Sequence, residues 1–392
     1  MKILFLDTPA FAKSDMIAAF ESHGIQCDLF FHEDYNDRRN PDFEQQFDIA
    51  AEKDTYDFVF SFNYFPIVSV CCMKHQLRYV AYIYDSPLVS LYSYTLINPC
   101  NYVFTFDKAT YLSFQREGIS TVYYLPMAAN VKRLSTLTQT ANIPSEYKSE
   151  VSFVGSMYTE EHNLFDRLVG LPDYTRGYLD GIMQVQQKIY GKFFIEELLN
   201  EQILKDMSAS VEYQTQRDSV ESPAYVYANY FIARKITARE RHDLLSAVSE
   251  RFPLKLFSPQ PDASLPHATY MGTVDYYDQM PLVFRHSKIN LNISLKSIQT
   301  GIPLRGMDIL GAGGFLLSNF QSDFLDYFVP GEDFDYYESE EDLLQKIDYY
   351  LSHDDIRTQM AQNALGKMTE YHTYEHRVEE ILATLDRDVR TF

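Results

Sequence analysis

Short, largely apolar runs recur along the chain, and most close on Asp, Asn, Ser or Pro before a stretch with helical spacing begins. KILFLD (2–7), the run at 25–31, YDFVFSF (56–62), RYVAYIYD (78–85), YVFTFD (102–107) and TVYYLP (121–126) form a first series. A strand that is apolar on both faces needs a sheet covered on both sides, and helices at 12–23, around 66–76 and from about 108 to 117 supply that cover. The pattern predicts a parallel, Rossmann-like sheet. A second series opens at VSFVGSMY (151–158) and resumes with FPLKLFS (252–258), ATYMGTV (268–274), a helix around Tyr277 to His286, KINLNIS (288–294) and FLLSN (315–319). A short DFDYY strand and helices near 339–352, 354–368 and 373–388 follow.

The class is therefore α/β, with two Rossmann-like domains. A chain of 392 residues is too long for one core, and 46% hydrophobic content permits two. The polar, turn-rich stretch after residue 134 sets the boundary: 1–134 as the first domain, 135–150 as linker, 151–372 as the second domain. Residues from about 160 to 250 read as a helical insertion in the second domain, and 373–392 as a terminal helix packing back toward the first. A net charge of −21 argues against a nucleic-acid partner, which needs a basic face. The opening MKILFLDTP reads as a strand rather than a leader, and no window reaches the ~20 apolar residues of a transmembrane segment. The expected location is cytoplasmic. Cys27, Cys71, Cys72 and Cys100 lack metal-type spacing and read as free thiols.

In sheets of this kind ligands sit beyond the C-terminal strand ends. The run 288–319 is a strand, a loop rich in Ser, Lys, Thr and Gly, a helix from about Leu304, and a second strand. A helix N-terminus facing such a loop offers oriented N–H groups to a phosphate. Arg305 adds a planar cation that can fork onto two oxygens, or else ties its helix through Asp308. Lys296, Thr300 and Gly301 are further candidate donor contacts, with Lys296 equally readable as a solvated loop lysine. Gly313 and Gly314 would bring backbone close to the ligand, or serve a tight helix-to-strand connection. Gly155 and Ser156 end a strand, where a phosphate approach and simple turn chemistry both fit. No GxGxxG follows the first strand, whose loop reads DTPAFAKSD, so a dinucleotide is not expected there. Asp7, Asn63, Asp85 and Asp107 fall at strand ends of the first domain. Asp333-Phe-Asp335 spells DxD but reads as an edge strand, and no metal ligand is assigned.

HATYMGTVDYYDQMP, SKINLNIS, TGIPLRGMDILGAGGFLLSN and YFVPGEDFDYYESEEDL resemble the C-terminal half of CgeB-like, glycosyltransferase family 1-type proteins. YDSP and YLPMAAN in the first half resemble the domain that precedes it. The resemblance implies a GT-B glycosyltransferase: two Rossmann-like domains facing a cleft, a UDP-, GDP- or dTDP-sugar held mainly by the second domain, and no obligatory metal. It implies a ribose contact for Asp308, and places the Met271–Asp275 loop and Tyr276-Tyr277 near the base. An acidic residue eight positions before Asp308 marks many retaining members. Here Thr300 stands there, so the stereochemical outcome does not carry over. The acceptor implied is a polysaccharide or protein of the cell envelope or spore surface, and a homo-oligomer is compatible. Asp85, which reads equally as an Asx-turn cap before Ser-Pro, is the first choice of general base, Asp7 the second and His267 the third. A nucleotide-sugar epimerase of the same architecture and a degenerate, non-catalytic binding or scaffold protein are the alternatives.

Overall fold

The structure is a computed structural model that describes residues 1–138, 143–159, 163–216, 218–259, 261, 264–388 and 390. It contains two sheets, and every pairing in both is parallel. The first holds β1 (Lys2–Leu6), β2 (Gln26–Phe30), β3 (Phe58–Phe62), β4 (Arg78–Ile83), β5 (Asn101–Thr105) and β6 (Val122–Tyr124) in the order β2-β1-β3-β4-β5-β6. The second holds β7 (Ser149–Val154), β8 (Leu254–Phe257), β9 (Thr269–Gly272), β10 (Ser287–Asn292), β11 (Leu316–Asn319) and β12 (Asp335–Tyr337) in the order β12-β11-β10-β7-β8-β9. Two six-stranded parallel sheets with covering helices are the two-Rossmann GT-B architecture. Among the described residues no helix is long and apolar enough to cross a membrane.

The chain divides into two compact units. One comprises Met1–Met127, Gln214–Ser222 and His372–Phe392, the other Ala128–Tyr213 and Pro223–Tyr371. In the first unit β3, β4 and β5 are buried almost throughout, as their uninterrupted apolar runs require. Phe5, Phe20, Phe58, Phe60 and Phe62 fill one face, with ring centroids 4.9 to 6.4 Å apart. Such pairs add roughly 0.5–1.5 kcal/mol each beyond their area burial. The chain's last helix, Tyr374–Arg387, belongs to this unit: Arg377, 2% exposed, meets His372 Nδ1 at 2.7 Å, and Arg390 donates to the Asn101 carbonyl at 3.0 Å. All four cysteines are free.

In the second unit 163–213 and 223–232 fold as short helices around their own cluster, including Leu179, Met183, Ile203, Met207 and Phe231. The Ala233–Arg251 helix then serves two cores. Ala233 and Ile236 close that cluster, whereas Leu244, Leu245 and Val248 pack on the second sheet. It is the crossover helix between β7 and β8, continuous with the inserted helices.

Two local differences from the sequence reading have physical causes. Val131–Thr138 is helical although its composition is polar, because Asn130 Oδ1 accepts from Arg133 N at 3.0 Å and Leu134 is buried. Residues 139–142 of the 135–150 stretch, and 160–162 at the start of the inserted stretch, lie outside the described residues. The helix expected from Tyr277 begins at Met280, since Asp275 Oδ1 takes the N–H groups of Tyr277 (2.8 Å) and Asp278 (2.9 Å) in an Asx turn.

The connection into β11 shows how little slack the second core has. A Cβ on Gly314 would lie 2.4 Å from the Phe284 carbonyl oxygen and 2.8 Å from Asn290 Nδ2. That amide already donates to Phe284 O (2.9 Å) and Phe315 O (3.1 Å). Gly314→Ala is expected to destabilise by about 1–3 kcal/mol, read as a lowered denaturation midpoint. An unchanged midpoint would mean the connection is looser than this packing.

Candidate functional site

The candidate site lies at the C-terminal edge of the second sheet, where β7 and β10 end side by side. After β7 the chain turns at Gly155, whose N–H bonds the Phe257 carbonyl at 2.9 Å. Ser156 Oγ then accepts from Tyr158 N at 2.9 Å. After β10 comes the 294–303 loop, and then the Leu304–Gly311 helix, which has Pro303 at its N-cap and no side-chain cap. Its first N–H groups are thus the oriented donors that the sequence suggested.

The 294–303 loop is held on both sides. Ser294 N bonds Asn319 Oδ1 (2.8 Å), Lys296 N bonds Thr237 Oγ1 (3.0 Å), and the Thr300 carbonyl accepts from Asp323 N (3.0 Å). Gly301 is buried directly ahead of the helix. The helix itself packs through glycines. A Cβ on Gly306 would fall 3.1 Å from the Phe324 ring, and one on Gly311 2.7 Å from Ala129 Cβ. Close approach on two faces fixes where Arg305 and Asp308 project.

Two guanidinium groups cross this edge. Arg305 Nη1 donates to the Val154 carbonyl, and its Nε is buried without a partner. Arg241, on the Ala233–Arg251 helix and 8% exposed, donates to Ile293 O through Nε (3.1 Å) and Nη2 (2.6 Å), and to Ser156 O through Nη1. Its guanidinium also lies 4.6 Å from the Tyr158 ring centroid, and Arg234 stacks on the same ring at 5.6 Å. Burial lowers the pKa of Arg305 while the Asp308 carboxylate opposes that effect; Arg241, Tyr276 and Tyr158 also act on it. Asp308, 5% exposed, accepts from Tyr276 Oη at 3.1 Å. So Arg305, Asp308, Thr300, Gly301, Gly155 and Ser156 gather at one strand edge. Arg241, Arg234 and Tyr158 join them unannounced by the sequence, where the two arginines look like surface residues of the inserted stretch.

Three expected contributors are placed elsewhere. Lys296 is not a free loop cation. Its Nζ lies 3.0 Å from Glu240 Oε1, 3.1 Å from the Gln187 carbonyl and 3.8 Å from the Tyr190 ring centroid, with both side chains of the ion pair at most 5% exposed. Tyr190 Oη donates to the same Glu240 oxygen at 2.6 Å. Burial pulls the lysine pKa down and pushes the glutamate up, the direction in which desolvation opposes any buried ion pair. Gly313 and Gly314 precede β11, so they sit at the opposite, N-terminal edge of the sheet, packed on Arg285 and Phe284. Their role is the tight helix-to-strand connection.

The first unit presents its own C-terminal strand edge. Asp7, after β1, pairs with Lys13. Asp85, after β4 and exposed, receives Asn63 Nδ2 at 2.8 Å, while Asn63 Oδ1 accepts from Tyr84 N (3.2 Å) and Asp85 N (3.3 Å). Asn63 takes a left-handed conformation, φ +58°, that short polar side chains tolerate. Asp107 caps a helix by accepting from Ala109 N at 3.0 Å. The Asp333-Phe-Asp335 spelling is absorbed by the fold: Asp333 pairs with Lys367, and Asp335 with Lys346 (3.1 Å) and Tyr350 (2.8 Å).

The sequence pattern of the family described as "Glycosyl transferase-like" matches residues 237–383, a span that contains Arg241, the 294–303 loop, Arg305 and Asp308. No functionally curated protein matches the sequence. Among solved structures the chain is similar to a sucrose-phosphate synthase from Thermosynechococcus elongatus, at 10% identity and a TM-score of 0.55, covering 99% of this chain and 100% of that one. It is also similar to a trehalose-6-phosphate synthase (10% identity, TM-score 0.54, 99% and 100% covered). A third similar structure is a UDP-forming trehalose-phosphate synthase from Burkholderia xenovorans (10%, TM-score 0.51, 100% and 99%). These likenesses extend over both units and define a shared GT-B fold.

Removing one partner of the Glu240–Lys296 pair strands a buried charge, at a cost of about 3–5 kcal/mol. Glu240→Leu and Lys296→Met singly are expected to lower the thermal midpoint markedly, and the double variant to recover most of the loss. A double variant no more stable than either single one would contradict the pairing.

Proposed function

We propose that the protein is a glycosyltransferase that moves a sugar from a nucleoside-diphosphate sugar, with UDP as the first nucleotide to test, to a hydroxyl of a glycan or protein acceptor. The observation that carries this is the convergence of Arg241, Arg305, the uncapped Leu304–Gly311 helix and Asp308 at one strand edge of the second unit. Glycosyl transfer leaves a diphosphate on which negative charge grows. Preorganised cations and N–H dipoles stabilise that charge without reorganising. In this reading the helix N-terminus and the unpartnered Arg305 Nε face the diphosphate. Arg241 orients the edge and adds positive charge, and no metal is required for the leaving group. Asp308, held by Tyr276, takes the ribose hydroxyls. Thr300 and Gly301 line the approach, as do Gly155 and Ser156 on the facing turn.

The family match over 237–383 supports the transferase class, and the UDP-forming relative of the same fold supports the choice of UDP. The acceptor is assigned to the first unit, with Asp85 as general base. Its carboxylate is exposed at a strand end and oriented by Asn63. Asp7 is the weaker choice because Lys13 already neutralises it. Thr300, where many retaining relatives carry a carboxylate, keeps a non-catalytic nucleotide-binding protein as the second reading; it predicts UDP binding without turnover.

Calorimetric titration with UDP, and UDP release from a panel of UDP-sugars, separate these readings. Arg305→Ala is expected to weaken UDP binding by about 1.5–3 kcal/mol, the worth of a hydrogen bond to a charged group. Equal affinity in the variant would remove Arg305 from the site. Asp85→Asn should abolish transfer and leave UDP affinity intact; loss of both together would make its role structural.

A further inference from the structure

At the opposite edge of the second sheet, where β10 and β11 begin, lies a cavity of about 420 Å³. Arg285, His286 and Lys288 enter it from the end of one helix and the start of β10, and Arg357 and Thr358 from the Asp354–Tyr371 helix. Three permanent cations around one concavity stand out in a chain of net charge −21. Like charges repel, so their convergence needs compensating carboxylates or an anion. The carboxylates present offset part of it. Arg357 donates to Asp354 Oδ1 (2.5 Å) and to the Tyr350 carbonyl (2.5 Å), and Lys288 Nζ sits 3.1 Å from Glu150.

Among the described residues no carboxylate pairs with Arg285. Its Nη1 donates to the Gly313 carbonyl at 2.7 Å. That placement depends on the glycine, since a Cβ there would come within 2.4 Å of the same nitrogen, and φ of +72° also favours glycine. His286 Nε2 is buried with no hydrogen-bond partner, an expensive omission unless something else fills it. Burial, Arg285 and Lys148 all lower the imidazole pKa, so the neutral ring can offer its N–H.

We infer that this cavity is a second anion site, taking a phosphate group or phosphate monoester, with Arg285, Lys288 and His286 as its donors. It goes beyond the donor reading and stands without it, because none of these residues belongs to the other edge. The volume exceeds that of a phosphate ion, and the Thr358 hydroxyl and the Gln362 amide on its wall suit the hydroxyls of a phosphorylated sugar.

The test is calorimetric titration of the full chain with inorganic phosphate and, separately, with glucose 6-phosphate. Saturable binding of either probe is expected. Phosphate alone would show that the anion is read, and the ester alone that the sugar is read as well. Binding should fall about tenfold or more in Lys288→Glu and in Arg285→Glu, as loss of a charge-assisted contact implies, and should persist in Arg305→Ala. Both charge-reversed side chains are solvent-accessible, and an unchanged melting profile confirms that the fold survives. No saturable binding of either probe would overturn the inference. So would binding that Arg305→Ala abolishes and Lys288→Glu leaves intact, since the anion would then occupy the donor edge.

Discussion

Main-chain carbonyls at the end of a parallel strand have no further strand to bond, and at the ends of β7 and β10 they are answered by guanidinium groups. Arg305 takes Val154, and Arg241 takes Ile293 and Ser156. The two arginines thereby fix two adjacent strand ends and the turns that follow them. They also concentrate positive charge where the chain as a whole is strongly negative. An anion arriving there meets donors already oriented, and the binding free energy is not spent on ordering them.

Behind that edge the Glu240–Lys296 pair works from the inside. A buried ion pair is not an efficient stabiliser, because desolvating two charges costs about as much as their attraction returns. What it does here is specify geometry. Lys296 reaches from the 294–303 loop to Glu240, and the adjacent residue on the same helix is Arg241. The loop and the guanidinium are therefore set by neighbouring residues of one rigid element. The loop backbone repeats the theme through Thr237, Asn319 and Asp323.

The strands were legible because continuous apolar runs admit few fates, and the helix carrying Arg305 because Pro and Gly bracket it. The charged members of the site were not. Lys296 and Arg241 lie in stretches whose composition is that of solvated surface, and only the packing of distant segments shows both to be buried. Chain direction alone places the two glycines. Residues immediately before a parallel strand lie at its N-terminal edge, so Gly313 and Gly314 could not have reached a ligand at the other end. The helix at Val131–Thr138 was hidden by its serines and threonines, although Asn130 and the apolar Val131 and Leu134 mark a cap and a buried face.

The central claim is that the edge formed by β7, β10 and the Leu304–Gly311 helix grips a diphosphate. A crystal structure with UDP bound would test it most directly. The account predicts diphosphate density within hydrogen-bonding distance of the Arg305 guanidinium and the first N–H groups of its helix, with the ribose against Asp308. Density for UDP anywhere else in the second unit, with Arg305 still turned wholly onto the Val154 carbonyl, would contradict it.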